Sequence, residues 1–218
     1  MRPTRQLRKL ARSALRQLAG FEYRVRSISP TIRPRDEREL ALTAIDLHNL
    51  WALFSRQYFL SCAIETWSSS GTRIFPQAVT FPSLKHALAF ACDEVRGGRR
   101  RIKWRKGVPV IPREEIVWHR PTNILRLSSA AAFSNLRQIH AAFSIQTRVF
   151  DDLRDVRNFF AHRNANTAAT VRVVAARYSL PSRIKPAVLL RSVEPGVPFV
   201  ILRRWIIDIR NVVLQMTR

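Results

Sequence analysis

The clearest hydrophobic pattern lies near the C-terminal end of the chain, over residues 199–216. Apolar residues recur there three and four positions apart, and charged or amide residues fall between them. That spacing places the apolar residues on one face of an α-helix, which has about 3.6 residues per turn. The residues on this face are Leu202, Trp205, Ile206, Ile209, Val212, Val213 and Met216. The pattern predicts a helix from Phe199 to Met216 that buries this face.

A longer stretch, from about Asp36 to Trp67, has the same period but carries apolar residues on more than one side. It contains no proline or glycine, so no residue in it interrupts a helix. A helix that is apolar on several sides is typical of a buried position. We therefore expect this helix at the centre of a bundle. The residues that repeat at helical spacing are Leu47, Leu50, Trp51, Phe54 and Tyr58.

The remaining pattern predicts an all-α protein, an up-and-down helical bundle. Further helices are expected at residues 4–19, 83–95, 123–145, 147–162 and 167–178. Gly20 is expected to end the first of them, and the proline-containing stretches 28–35, 71–82 and 181–198 are predicted loops. Residues 1–34 are interpreted as a basic amphipathic arm and linker. Residues 35–218 are interpreted as the helical domain, with an irregular insertion at about 96–121 that has room for one short hairpin.

The charge of the chain indicates a polyanionic binding partner. Lysine and arginine number 38 against 15 aspartates and glutamates, which gives a net charge of +23. A protein this basic attracts polyanions at long range. RNA, DNA, an anionic membrane and an acidic protein are all compatible with the charge, and so is a chain that merely uses arginine on solvated faces.

The cations concentrate in two segments. One is the N-terminal segment from Arg2 to Arg16, and the other is the run RGGRRRIKWRK from Arg96 to Lys106. Both are expected to follow the phosphates of RNA. The candidate RNA-binding residues of the second segment are Arg99, Arg100, Arg101, Lys103, Trp104 and Arg105. The tryptophan either stacks on a base or anchors the insertion to the bundle.

Cysteine usage and hydropathy favour a reducing compartment and a cytoplasmic location. Cys62 and Cys92 lie in apolar segments, where we expect small buried core residues, and neither has the spacing of a zinc site. No apolar run approaches the roughly 18 residues that a membrane-spanning helix needs. We expect no integral membrane association. The acid-free N-terminal segment also resembles an organellar transit peptide, but the arginine richness of the whole chain favours a basic arm.

Common site motifs are absent from the sequence. There is no GxGxxG, Walker A, HExxH or GxSxG pattern, and the acidic residues are sparse and scattered. The sequence therefore predicts neither a metal site nor a cofactor. His48, His86 and His140 lie in apolar helices and are expected to be bundle residues. His119, in the basic insertion, has no distinctive neighbours.

His162 differs from the other histidines because of its neighbours. The segment from Arg157 to His162 reads RNFFAH, and Arg163 and Asn164 follow it. It resembles the Arg-x(4–6)-His motif of the HEPN ribonuclease family, in its Arg-Asn-x-x-x-His form, within an all-helical chain that has one more long helix after the motif. The resemblance is strongest over about residues 147–178. It extends by helix order over 36–218 and does not include the N-terminal arm.

The resemblance implies a metal-independent endoribonuclease that acts as a homodimer. It implies catalytic roles for Arg157, Asn158 and His162, and a role in toxin–antitoxin or antiviral defence with an antitoxin or defence partner. Arg163, directly after the motif, is a further candidate RNA-binding residue. HEPN toxins controlled by a nucleotidyltransferase often carry tyrosine two residues after the histidine. This chain has Asn164 there, so such control is not supported.

The residue types themselves suit RNA cleavage. RNA supplies a 2′-hydroxyl nucleophile, imidazole can serve as base and acid near neutral pH, and guanidinium can stabilise charge on phosphate oxygens. In an uninterrupted helix Asn158 and His162 share a face, whereas Arg157 and His162 lie about 140° apart. Each chain offers one such histidine, and a two-fold dimer would bring two sets of residues to one phosphate.

Other interpretations of the motif stay open. Arg157 could pair with Asp151, Asp152 or Asp155, and the motif could simply solvate a helix end. The chain could also be a non-catalytic basic module that binds RNA or DNA. A third class is a membrane-surface protein that uses the amphipathic arm.

Overall fold

The computed structural model describes residues 1–28, 33–96, 103–105, 107–110, 115–145, 147–181 and 183–218, with Lys103 and Trp104 described by their backbone alone. These residues are mostly helical, which confirms the predicted all-α class. The elements in chain order are α1 Leu7–Ser27, α2 Pro34–Ala63, β1 Thr66–Trp67, β2 Arg73–Ile74, α3 Leu84–Arg96, β3 Lys103–Arg105, β4 Val108–Val110, α4 Pro121–Ala130, α5 Leu136–Phe143, α6 Val149–His162, α7 Ala165–Arg177, α8 Pro186–Arg191 and α9 Ile201–Thr217. None of the helices in the described ranges is long and apolar enough to cross a membrane.

The chain forms two compact units, and the first contains residues 1–14, 52–145 and 212–218. Its core includes an aromatic cluster around Phe59 of α2. The ring of Phe59 lies 5.6 Å from that of Phe133 and 5.7 Å from that of Trp118. Arg56, one turn earlier on α2, donates two hydrogen bonds of 2.6 and 2.7 Å to the carboxylate of Glu115. Cys62 and Cys92 are buried free thiols in this unit, as the sequence predicts.

Two short antiparallel hairpins belong to the first unit. β1 pairs with β2, with Thr66 opposite Ile74. The helix predicted to reach Trp67 ends at Ala63, so its predicted C-terminal end is wrong and Thr66–Trp67 form β1, while β2 lies in the predicted loop over residues 71–82. β3 pairs with β4, with Lys103 opposite Val110, which confirms a hairpin within the predicted insertion. The prediction of one helix over residues 123–145 is wrong, because this stretch forms two separate helices, α4 and α5. The backbone amide of Gln77 donates to the carbonyls of Ala131 and Ala132, and Ala132 turns to a φ of 50°.

The second unit contains residues 15–51 and 146–211. The predicted apolar face of α9 is buried, and Leu202 and Ile206 are completely inaccessible to solvent. The ring of Trp51 packs 4.5 Å from that of Phe150. The predicted loop over residues 181–198 contains a short helix, α8, which begins at Pro186. Proline suits the first turn of a helix because a backbone N–H at that position would have no partner within the helix.

Helix α1 continues through Gly20 to Ser27, so the predicted end at Gly20 is wrong. Phe21 and Val25 extend the apolar period beyond the glycine, and both are buried. Their burial outweighs the roughly 1 kcal/mol that a glycine costs inside a helix. Most of the apolar face of α1 is covered by protein. The division into an arm and a domain at about residue 34 stays a prediction.

Candidate active site at the end of helix α6

Helix α6 carries the motif at its C-terminal end. Val149, Leu153 and Val156 form its buried face, while Asp151 and Asp152 stand in the first turn, where carboxylates interact favourably with the helix dipole. The helix ends at His162, because Arg163 adopts the left-handed region at a φ of 41°. The amide of Arg163 donates a hydrogen bond of 2.8 Å to the carbonyl of Phe159.

Asn164 begins the next helix. Its Oδ1 accepts a hydrogen bond of 2.9 Å from the amide of Thr167, and Oγ1 of Thr167 accepts one of 3.2 Å from the amide of Asn164. This reciprocal pair caps the N-terminus of α7 and satisfies amides that have no partner within the helix. The capping bonds account for an asparagine two residues after His162.

His162 is exposed, while Arg157 and Asn158 are half-buried. An η nitrogen of Arg157 donates to Oδ1 of Asn158 at 3.3 Å. Within the described part of the chain, the imidazole of His162 has no hydrogen-bond or ion-pair partner. The ring is therefore free to meet a ligand from solvent.

The acidic residues near Arg157 are paired with other cations. Arg154 binds Asp151 at 2.9 Å and Asp155 at 2.8 Å. Asp152 is bound by Arg177 and by the hydroxyl of Tyr178. Arg157 therefore does not pair with any of these carboxylates, contrary to the interpretation in which the motif is purely structural. Its Nε is buried and has no hydrogen-bond partner among the residues that the structure describes.

A buried polar chain fixes α6 against its neighbours in the second unit. The indole N–H of Trp205 donates to the hydroxyl of Tyr178 at 2.8 Å, and that hydroxyl donates to Oδ2 of Asp152 at 2.8 Å. Burial raises the pKa of Asp152, although the hydrogen bonds from Tyr178 and Arg177 partly offset it. Fixing α6 at this point fixes the helix that presents the motif.

Within one chain the motif residues do not all converge. α6 is helical throughout from Arg157 to His162, so these two residues lie about 140° apart around its axis. Asn158 and Phe159 lie four and three positions before His162 and share its face. A single α6 therefore presents His162 with Asn158, and Arg157 reaches this face only through its hydrogen bond to Asn158.

The predicted RNA-binding residues are described only in part. Arg99, Arg100 and Arg101 lie outside the described residues, as do the side chains of Lys103 and Trp104. Arg105 is exposed at the end of β3, and Arg163 is exposed beside His162. The hairpin belongs to the first unit and the motif to the second.

A cleft that the sequence did not predict lies beside the motif in the second unit. Its volume is about 510 Å³. We call it the Phe159 cleft, and its lining residues are Phe159, Ala168, Val171, Arg172, Arg183, Ile184 and Pro186. They come from α6, from α7 and from the segment that leads into α8, so no single stretch of sequence reveals them. The only local signal is the spacing of Ala168, Val171 and Arg172 on one face of α7.

The histidines outside the motif have varied surroundings, and His140 resembles His162 in being exposed on a helix. His48 is buried, and Nδ1 of His86 lies 2.8 Å from Oγ of Ser83. His140 is exposed, so its expected place within the bundle is wrong. In the described ranges, no three histidine, cysteine or acidic side chains stand close enough together to hold a metal ion.

No protein-family model, curated protein or solved structure matches this chain. The resemblance to HEPN ribonucleases consequently rests on the RNFFAH segment and the order of helices around it.

Proposed function

We propose that this protein is a metal-independent endoribonuclease of the HEPN type, with Arg157, Asn158 and His162 as its active-site residues. The observation that carries the proposal is the presentation of the motif: His162 ends α6 with an exposed ring on the same face as Asn158, and Arg157 is not paired with any of the nearby carboxylates. The guanidinium of Arg157 is therefore available to a phosphate oxygen, which its planar fork of donors suits.

The chemistry follows from the functional groups. One imidazole takes the proton of the 2′-hydroxyl, and the resulting oxygen attacks the adjacent phosphorus. A second, protonated imidazole gives its proton to the departing 5′-oxygen as the phosphorus–oxygen bond breaks. Arg157 stabilises the negative charge on the non-bridging oxygens. The products are a 2′,3′-cyclic phosphate and a 5′-hydroxyl.

A homodimer supplies the second imidazole. Each chain offers one RNFFAH segment, and the two partners Arg157 and His162 lie about 140° apart on a continuous helix. A two-fold axis near His162 would place His162 of the partner subunit across one scissile phosphate and let each Arg157 reach it from the side. The resemblance further suggests a cytoplasmic role in toxin–antitoxin or antiviral defence.

One observation favours the alternative of a non-catalytic basic module that binds RNA or DNA. A catalytic histidine usually has a group that fixes its tautomer, and His162 has none among the described residues. In the alternative, Arg157, Arg163 and the basic segments bind phosphates, and His162 is a bystander.

The experiment that separates the two compares His162→Ala with wild type in cleavage of an end-labelled RNA. We expect His162→Ala to lower the cleavage rate by at least about a hundredfold, as loss of a general acid or base does. RNA binding should change little. Cleavage at the wild-type rate in His162→Ala would reject the proposed function.

The matched control is His140→Ala, since His140 is likewise exposed on a helix and has no partner among the described residues. Its cleavage rate should equal that of wild type. Arg157→Lys keeps a positive charge but loses the planar fork, so it should recover part of the activity that Arg157→Ala loses.

A further inference from the structure

The Phe159 cleft has the shape and chemistry of a small-molecule site. Its volume of about 510 Å³ lies in the range of roughly 300–1,000 Å³ that such sites occupy. Phe159, Val171 and Ile184 give it apolar surface, and Arg172 and Arg183 add two positive charges. Among the described residues that line it, none is acidic.

The two arginines of the cleft are available for a ligand. Both are exposed, and neither has a hydrogen-bond or ion-pair partner among the described residues. Other arginines of the same unit are engaged, for instance Arg177 with Asp152 and Arg203 with Glu22. Two unpaired guanidiniums that border one cleft form a natural receptor for a phosphate group, which accepts paired hydrogen bonds from each.

Phe159 adds to the cleft an aromatic ring on which a nucleobase can stack. It is half-buried, and its ring lies 5.6 Å from that of Phe160 in an edge-to-face arrangement. An aromatic ring is a surface on which any nucleobase can stack. Because Phe159 precedes His162 by three positions, their Cβ atoms lie roughly 5–6 Å apart on the helix surface.

We infer that the Phe159 cleft binds one nucleotide unit, with its base against Phe159 and its phosphate between Arg172 and Arg183. The inference rests on the proposed function where the nucleotide is part of an RNA strand. The cleft then holds the nucleotide next to the phosphate that His162 acts on. A free nucleoside monophosphate offers the same chemistry, and the experiment distinguishes the two sources.

The experiment measures binding without cleavage. The probes are adenosine 3′-monophosphate and orthophosphate, followed by calorimetry, and a labelled 2′-O-methyl hexa-adenylate, followed by fluorescence anisotropy. The variant Arg172→Gln/Arg183→Gln should bind the monophosphate and the hexamer at least about tenfold more weakly. The control Arg137→Gln/Arg148→Gln removes two exposed, unpartnered cations outside the cleft, and should change both affinities by less than about threefold.

Two further variants test whether the base stacks on Phe159 and whether the ligand occupies the volume of the cleft. Phe159→Leu should weaken binding of the monophosphate by about fivefold and leave orthophosphate binding unchanged, because only the base stacks. Ala168→Leu fills part of the cleft without altering charge and with only a small change in helix propensity, and should also weaken binding of the monophosphate. Far-ultraviolet circular dichroism checks that each variant is folded.

The outcomes are distinct. Losses for both the hexamer and the monophosphate identify a nucleotide of a bound strand, and a loss for the monophosphate alone identifies a free nucleotide. Equal losses in the cleft and control variants, or unchanged binding of the monophosphate in Phe159→Leu and Ala168→Leu, overturn the inference. Because binding is also measured in a His162→Ala background, failure of the cleft leaves the proposed cleavage untouched, and failure of cleavage leaves the cleft test valid.

Discussion

The hydroxyl of Tyr178 donates a hydrogen bond of 2.8 Å to Oδ2 of Asp152, a carboxylate with no solvent exposure. The same hydroxyl accepts a hydrogen bond from the indole of Trp205. One oxygen atom therefore joins the end of α7, the first turn of α6 and the second turn of α9. Removing it leaves two buried polar groups with one partner fewer.

Tyr178→Phe should lower the free energy of unfolding by about 2–3 kcal/mol, since each buried group left unsatisfied costs roughly 1–3 kcal/mol. Urea denaturation checks this value. Tyr23→Phe makes the same chemical change at a residue that is 75% exposed, and should alter stability by less than about 0.5 kcal/mol. Equal effects at the two positions would contradict the role of the buried chain.

The stability of the fold should depend on pH because of Glu22. Burial alone would raise its pKa, but hydrogen bonds from Arg210, Arg203 and Arg26 outweigh burial and lower the pKa from 4.5 to about 2. A carboxyl whose folded pKa lies below its unfolded value stabilises the fold above the unfolded value and loses that contribution as pH falls through the folded one. The stabilisation should therefore disappear between about pH 4.5 and pH 2.

The measurement compares wild type with Glu22→Gln by urea denaturation at several pH values. Above pH 5 the variant should be less stable by about 3 kcal/mol, the energy equivalent of this pKa difference. The gap should close towards pH 2, where Glu22 itself becomes protonated. A gap that stays constant across this pH range would show that Glu22 acts through packing and not through its charge.

Arg163 ends α6 in a conformation that favours glycine. Its φ of 41° brings the Cβ atom close to the backbone, and Arg163→Gly should raise the free energy of unfolding by about 0.5–1 kcal/mol. If Arg163 contacts RNA as proposed, the same change should weaken RNA binding, most clearly at low salt. Arg163→Asn, which also tolerates this backbone region, should weaken binding with little loss of stability. A less stable glycine variant would contradict this account of the helix end.

Cleavage should survive chelation of metals and produce a 2′,3′-cyclic phosphate. The 2′-hydroxyl of the substrate is the nucleophile in the proposed reaction, and imidazole moves the protons, so neither step needs a metal-activated water. The test incubates an end-labelled RNA, and its 2′-deoxy analogue at the cut site, with the protein in excess EDTA. RNA cleavage that returns only with magnesium or manganese, or equal cleavage of the deoxy strand, would exclude the His162 mechanism.

The active species should be a symmetric dimer. Specific activity should fall on dilution as the dimer dissociates, with the oligomeric state followed by sedimentation velocity. Excess His162→Ala protein should reduce wild-type activity through mixed dimers. Saturating RNA is used throughout so that competition for substrate cannot explain the inhibition. A strictly monomeric, fully active enzyme would rule out the shared site.

The sequence by itself determined those features that depend on neighbours along the chain. The buried face of α9 follows from apolar residues three and four positions apart, and α6 could be placed to within two residues of Val149 and at His162. Periodicity also showed that α2 is long and uninterrupted. These predictions held because a helix is specified by contacts between residues a few positions apart.

Only the tertiary structure decided the features that depend on residues far apart in the chain. The break between α4 and α5 arises because Gln77 supplies a hydrogen bond to the carbonyls of Ala131 and Ala132, and α1 passes Gly20 because buried contacts outweigh the glycine. In the sequence, three aspartates lie close to Arg157. In the structure Asp151 and Asp155 bind Arg154, and Asp152 binds Arg177 and Tyr178. The Phe159 cleft likewise joins separate segments. Such choices depend on which partner lies closest in space, and local spacing carries no information about that.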